Sequence, residues 1–331
     1  MINNIQALRA FAAINVVLFH IIGTAPSYSQ NTSHLNILRG WGSNGVDIFF
    51  VISGFIIFHT QMTRKKSVGE FVQSRIIRII PIYWLITLVF ILLVGFASSL
   101  FRERVITYPS VLSSLSFSSQ LLQNKNPIIY VGWTLEWEML FYLIFALSLH
   151  VNSLKKMIGF IGAMLICTAI ALEQYIIIEF FFGILVAWTF QKKTHFKNHG
   201  IIALLAGMLL LALSMLPGLP VLEMNKFRVI IWGVPALLIV FGAVHSPQLK
   251  NSTLSFLGDA SYSIYLIQAL SIPAFYKLSV KFTNKINGDV LAALCLIFTA
   301  ALGCAVYFFI EKPLSNYLKS RLSNKNRGAA A

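Results

Sequence analysis

The sequence predicts an all-α, polytopic membrane protein, a helical bundle of about ten transmembrane helices with both termini in the cytoplasm. Three observations carry that reading. The 331 residues are 57% hydrophobic and only 11% charged, whereas a soluble domain carries about 25% charged residues. Apolar runs near the ~20 residues that span a bilayer recur along the chain, and mean hydropathy is +0.76. The basic residues, finally, fall between those runs. The net charge of +15, from 26 Lys+Arg against 11 Asp+Glu, would otherwise suggest nucleic acid. In short loops between apolar segments it sets topology instead, and no nucleic-acid partner is expected. Cys167, Cys295 and Cys304 lie in apolar stretches without metal-ligand spacing and read as buried small hydrophobes.

The first span, near residues 5–23, lacks the basic leader and small-residue cleavage site of a signal peptide. It carries Arg9 and His20, eleven residues apart. That spacing returns almost to one helix face, with roughly 16 Å between them in depth. The second span, 45–60, opens on Asp47 and contains Ser53. The basic connection that follows, Arg64 to Arg78, leads into the third span at 79–99, which begins Ile79-Ile-Pro81-Ile-Tyr83-Trp84. Arg75 and Arg78, three apart, share a helix face and suit phosphate oxygens, although such arginines also serve as topology anchors. The fourth span, 130–149, carries Trp133, Glu136, Glu138 and Tyr142. Its two carboxylates point about 200° apart, so one faces the bundle interior.

Further spans are expected near 157–172, 174–190, 200–216, 228–245, 260–277 and 290–310, the pair around Glu173 being the least regular. With the N-terminus inside, 17 of the 26 Lys and Arg residues fall on the cytoplasmic side and nine outside, in keeping with the positive-inside rule. Residues 1–318 form a single transmembrane domain, and 319–331 read as a basic cytoplasmic tail.

Ionisable groups are costly inside a bilayer and mark functional sites by default. His20, Asp47 and the fourth-span carboxylates enter from the same side at one expected depth in the outer half of the membrane. A histidine held by a carboxylate is a general base, while a charge-satisfying packing network is the structural alternative.

Taken together, these segments resemble the membrane-bound acyltransferase 3 family of bacterial surface-polysaccharide O-acyltransferases. Leu8, Arg9, Ala12, Ala13, Val16 and His20 follow its N-terminal pattern, and Gly45-Val-Asp-Ile-Phe-Phe-Val-Ile-Ser-Gly-Phe55 its most recognisable motif. Arg75-Ile-Ile-Arg78-Ile-Ile-Pro81-Ile-Tyr83-Trp84 matches a third segment and Trp133-Thr-Leu-Glu-Trp-Glu138-Met-Leu-Phe141-Tyr142 a fourth, which makes Glu138 the family glutamate and Glu136 extra. Leu257-Gly-Asp-Ala-Ser261-Tyr262-Ser-Ile-Tyr265-Leu and Glu311-Lys-Pro313 complete the series. Two departures stand out: Gln268 replaces a frequent histidine, and Gln6 replaces a common aspartate, the latter as in the exopolysaccharide-acyltransferase branch.

The resemblance implies a multi-pass protein of the bacterial inner membrane that takes acyl-CoA, expected to be acetyl-CoA, from the cytoplasm as donor. It implies no permanently bound cofactor or metal. Arg75, Arg78 and Arg9 become candidate donor contacts, and His20, oriented by Glu138 or Asp47, the candidate base or transient acyl carrier. Ser53 and Tyr142 become candidates for stabilising the tetrahedral intermediate, with Tyr83, Trp84, Trp133, Ser261 and Tyr262 as further motif residues. The acceptor is expected to be a polysaccharide or lipid-linked sugar. A polytopic transporter or flippase, the alternative class, commonly shows inverted repeats, and no internal repeat is visible here.

Overall fold

The protein was analysed as a computed structural model that describes residues 2–96, 106–192, 197–216, 225–279 and 286–328. The basic residues Arg102, Arg104, Lys193, Lys281 and Lys285, residues 97–99 of the third expected span, and 329–331 of the tail lie outside them. Among the described residues the chain is helical, without strands. In order the helices are α1 (Asn3–Thr24), α2 (Gly45–Thr63), α3 (Val68–Phe96), α4 (Tyr108–Leu115), α5 (Ser119–Gln123), α6 (Trp133–Ser148) and α7 (Leu154–Ala171). Then come α8 (Glu179–Gln191), α9 (Lys197–Leu213), α10 (Asn225–Arg228), α11 (Val234–His245), α12 (Ser252–Ser279), α13 (Gly288–Val306) and α14 (Lys312–Gly328).

Within the described residues each of the ten expected spans overlaps one or more of these helices. Among the described residues six helical stretches are long and apolar enough to cross a membrane: Asn3–Tyr28, Leu35–Thr63, Val68–Phe96, Leu154–Ala171, Asn225–His245 and Gly288–Leu322. The others differ for physical reasons. Helix α6 has only 16 residues. Helix α12 runs for 28 residues but is rich in Ser, Tyr and Gln. Its middle, from Ala260 to Ile272, is almost wholly buried against protein, above all against α1 and α13, so its polar groups do not meet lipid. The apolar exterior shows on α9 and α13, where Ile202, Leu209 and Ile297 are exposed.

Helix α3 begins eleven residues before the expected third span, so Arg75 and Arg78 ride on its first turns. Its start is a capping box: the Ser67 N–H donates to Glu70 Oε2 (2.9 Å) and the Glu70 N–H to Ser67 Oγ (3.3 Å). Helices α2 and α8 touch backbone to backbone. A Cβ on Gly54 would overlap the carbonyl of Phe180, and one on Gly183 the carbonyl of Val51, the close approach that small residues allow in membranes. The tail is helical as well, α14 following a widened turn at Tyr307–Glu311.

Candidate active site

A cavity of ≈ 820 Å³ runs along α2 from Val46 to Arg64. At its basic end it is walled by the start of α1 (Ile2, Gln6, Arg9), the α2–α3 connection (Lys66), α3 (Arg75, Arg78) and α14 (Lys319). At its far end it reaches Thr134 and Glu138 of α6 and Ser261, Tyr262 and Tyr265 of α12. Six cations line it (Arg9, Arg64, Lys66, Arg75, Arg78, Lys319) against one carboxylate, Glu138.

That carboxylate is held by the second motif and by its own helix. Ser53 and Tyr142 both donate to Glu138 Oε1 at 2.6 Å, the short range of hydroxyl–carboxylate bonds. Arg75 lies 5.9 Å from the Tyr142 ring centroid and 5.9 Å from that of Phe71, with its Nε 3.4 Å from Ser74 Oγ. Arg78 donates to Glu311 Oε1 (3.1 Å) and lies over the Tyr262 ring. Ser263 holds the second oxygen of Glu311 at 2.7 Å, and the widened turn ending at Glu311 aims that buried carboxylate inward. The two arginines expected to act together thus differ: Arg78 has a buried counter-ion and Arg75 has no ion pair among the described residues. Arg9 donates to Gln6 Oε1 at 3.0 Å, so the glutamine that replaces the family aspartate still orients it. The hydroxyl of buried Ser261, in the cavity wall, has no hydrogen-bond partner among the described residues.

Two expected contacts do not form. His20 packs edge-on against Phe19 and Tyr130, with ring centroids 4.8 Å apart in each case, and touches neither Asp47 nor Glu138. Asp47 is instead clamped by Arg228, Nε to Oδ1 at 3.0 Å and Nη2 to Oδ2 at 2.7 Å, with Nη2 also donating to the Ser43 carbonyl. The cause is local: Asp47 occupies the first turn of α2, and Arg228 closes α10 beside the widened turn Val229–Gly233. Glu179, fully buried on α8, adjoins the same pair. From the sequence, Arg228 stands at the outer end of the span expected near 228–245, and Glu179 is not singled out. A lone carboxylate in the apolar run Tyr175–Phe182 was the available signal.

His20 is nonetheless tied to the far wall of the cavity. The hydroxyls of Thr134 and Tyr265 lie 2.9 Å apart, Tyr265 also donates to the Val131 carbonyl (2.9 Å), and Tyr130, the preceding residue, meets the imidazole. Glu136, the extra glutamate, has a separate task. Buried, it accepts the backbone N–H groups of Ser119 (3.0 Å) and Gln120 (2.8 Å) at the start of α5. Tyr83 is buried against Phe117, its ring also adjoining Gly132. Trp84 donates to the Leu115 carbonyl, and Trp133 opens α6. The Tyr262 hydroxyl donates to the Ile79 carbonyl. No group of His, Cys, Asp and Glu suited to a metal occurs among the described residues.

Apolar helices long enough to span a bilayer and a basic, partly buried cavity with motif residues gathered on its wall define the class of a multi-pass membrane protein with a built polar site. The chain belongs to the acyltransferase 3 family, matching its acyltransferase domain over residues 2–309. It is 31% identical over 299 residues to the exopolysaccharide production protein ExoZ of Rhizobium meliloti (strain 1021), covering 82% of this chain and 89% of that protein. It is 23% identical over 281 residues to the "Putative acetyltransferase ORF330" of Acidianus two-tailed virus, covering 79% and 81%. No solved structure matches it. The protein is therefore an acyltransferase, and the transporter alternative is set aside.

Proposed function

We propose that the protein is an O-acyltransferase of the bacterial inner membrane. It takes an acyl group, most simply acetyl, from acyl-CoA on the cytoplasmic side and transfers it to a hydroxyl of a surface or lipid-linked polysaccharide. The observation that carries the donor reading is the cavity with six cations and one carboxylate in its wall. Arg78 has Glu311 as its counter-ion, while the other five have no ion pair among the described residues, and an anionic ligand with a pyrophosphate and a ribose phosphate offsets their charge. Arg64, which caps the end of α2, and Ser53 are eleven residues apart, roughly 16 Å along the helix, a gap that an extended pantetheine arm spans from the basic mouth to Glu138. The name of the 31%-identical relative favours an exopolysaccharide acceptor.

In this reading the thioester carbonyl lies at the far wall, between Glu138 and the Thr134–Tyr265 pair. The sugar oxygen attacks the carbonyl carbon, His20 receives the hydroxyl proton, and the coenzyme A sulfur leaves as thiol, taking a proton back. Transient acylation of His20 itself remains the second route within the same proposal. Arg75 grips donor phosphate, Arg9 stands deeper in the same wall, and Ser261 supplies a free hydroxyl. Tyr28, Trp41, Tyr108, Tyr130 and Trp133 offer aromatic faces for sugar rings on the acceptor side. The test is coenzyme A release by purified protein from acetyl-CoA, with and without exopolysaccharide or its lipid-linked precursor. Acceptor-dependent release with ester appearing on the glycan is expected. No release from any acyl-CoA with any glycan acceptor would overturn the donor assignment.

A further inference from the structure

At the basic end a smaller cavity of ≈ 240 Å³ is lined by Lys66, Glu70, Gln73, Ser74, Ile77, Lys319 and Leu322. Lys66, Ser74 and Lys319 belong to both cavities, so the smaller is a side chamber at the mouth of the larger. It is built from three separate pieces of chain: the α2–α3 connection, one face of α3, and the helical tail α14. Two walls are apolar (Ile77, Leu322), one edge is an amide (Gln73), and the two shared corners are ammonium groups.

The lysines are not a generic topology pair. Lys65, next in sequence, is exposed and lines neither cavity, whereas Lys66 is half-buried and lines both. Glu70 keeps its charge and partly opposes the lysine's, but its Oε2 faces the Ser67 N–H and hydroxyl, and no ion pair joins it to Lys66 among the described residues. Lys66 is held below the ordinary lysine range by partial burial first, then by Arg75, against the opposing pull of Glu70, with Arg64 and Lys319 adding to the repulsion. Several cations thus converge where the protein provides little counter-charge, an arrangement that invites phosphate.

We propose that this side chamber seats the nucleotide end of the donor, with Lys66 and Lys319 on its ribose phosphate and its adenine between Ile77 and Leu322. The inference rests on the acyl-CoA reading above and adds to it a subsite formed by the tail. The donor's pyrophosphate then falls toward Arg64 and Arg75, and the arm enters the larger cavity.

The test uses the full-length protein in neutral-lipid nanodiscs and three probes: coenzyme A, dephospho-coenzyme A without the ribose phosphate, and phosphopantetheine without the nucleotide. Wild type should bind coenzyme A about tenfold or more tightly than dephospho-coenzyme A, as expected for one lost charge-assisted contact. The double variant Lys66→Met, Lys319→Met should erase that preference by weakening coenzyme A alone, and Lys65→Met should leave it intact. Equal weakening of coenzyme A and dephospho-coenzyme A in the double variant, or no weakening, would overturn the subsite while leaving the donor reading in place. So would lysine variants that alter only association with phosphatidylglycerol vesicles, which would make the patch a lipid anchor. If wild type binds none of the probes, the donor reading itself fails.

Discussion

At Glu138 one carboxylate oxygen collects the hydroxyls of Ser53 and Tyr142, and two sequence motifs meet at one atom. The importance of this glutamate was legible from the fourth motif; its partners were not, because 100° periodicity says which face a residue takes and not which neighbour reaches it. The same limit applies to His20, whose imidazole meets Tyr130 rather than a carboxylate. His20→Ala is expected to abolish acyl transfer while abundance and membrane insertion stay at wild-type levels. Transfer at the wild-type rate would remove the residue from the reaction. The two arginines of the third motif should separate experimentally. Arg75→Ala should raise the KM for acyl-CoA about tenfold or more through a lost charge-assisted contact, with lysine rescuing only partly. Arg78→Ala instead strands the buried Glu311 carboxylate and should cost about 3 kcal/mol of stability. A thermal-shift comparison reads the difference, and equal melting temperatures would mean that the Arg78–Glu311 pair holds nothing together.

Among elements, the ten helices that carry the expected spans were legible because apolar length is a strong signal. Their ends were less so. Helix α3 starts early because Ser67 and Glu70 cap it, a signature present in Ser67-Val-Gly-Glu70 but hidden by the charged residues before the apolar run. Helix α12 is long enough but too rich in Ser, Tyr and Gln to read as a lipid-facing span, a composition its protein sheath permits. The contact of α2 with α8 was invisible to hydropathy, since it depends on two glycines meeting carbonyls across the interface. Gly54→Leu should therefore force α2 and α8 apart, lowering the yield of folded protein and broadening its gel-filtration peak. Wild-type yield and melting would show that the two backbones have more room than the structure gives them.

For the whole molecule, the prediction concerns the cell that makes it. Deleting the gene should remove one ester substituent from a surface polysaccharide without shortening its chains, as read by ester analysis and size-exclusion of the isolated glycan. Unchanged ester content across every surface glycan would count against the proposed acceptor. The six cations of the cavity wall, set against its one carboxylate, also make the mouth of the cavity strongly basic. Donor binding should weaken steeply with added salt, because exposed cations such as Lys319 are screened within about 8–10 Å at physiological ionic strength.

The clamp on Asp47 has a consequence for how the protein is made. Its partner Arg228 lies 181 residues further along. At about 5–20 residues per second a ribosome needs roughly 10–40 s to supply it. Throughout that interval α2 carries a carboxylate with no cation, and Glu179 emerges to add a second before the arginine arrives. An unpaired carboxylate in a spanning helix is costly to insert, so the nascent α2, with Asp47 in its first turn, should linger beside the insertion channel or at the water boundary until the later helices are threaded. Chains stalled at residue 220 should crosslink from α2 to the translocon, and chains stalled past residue 270, with Arg228 clear of the ribosome, should have lost that crosslink. Equal crosslinking at both lengths would mean that α2 is released without waiting for its counter-ion.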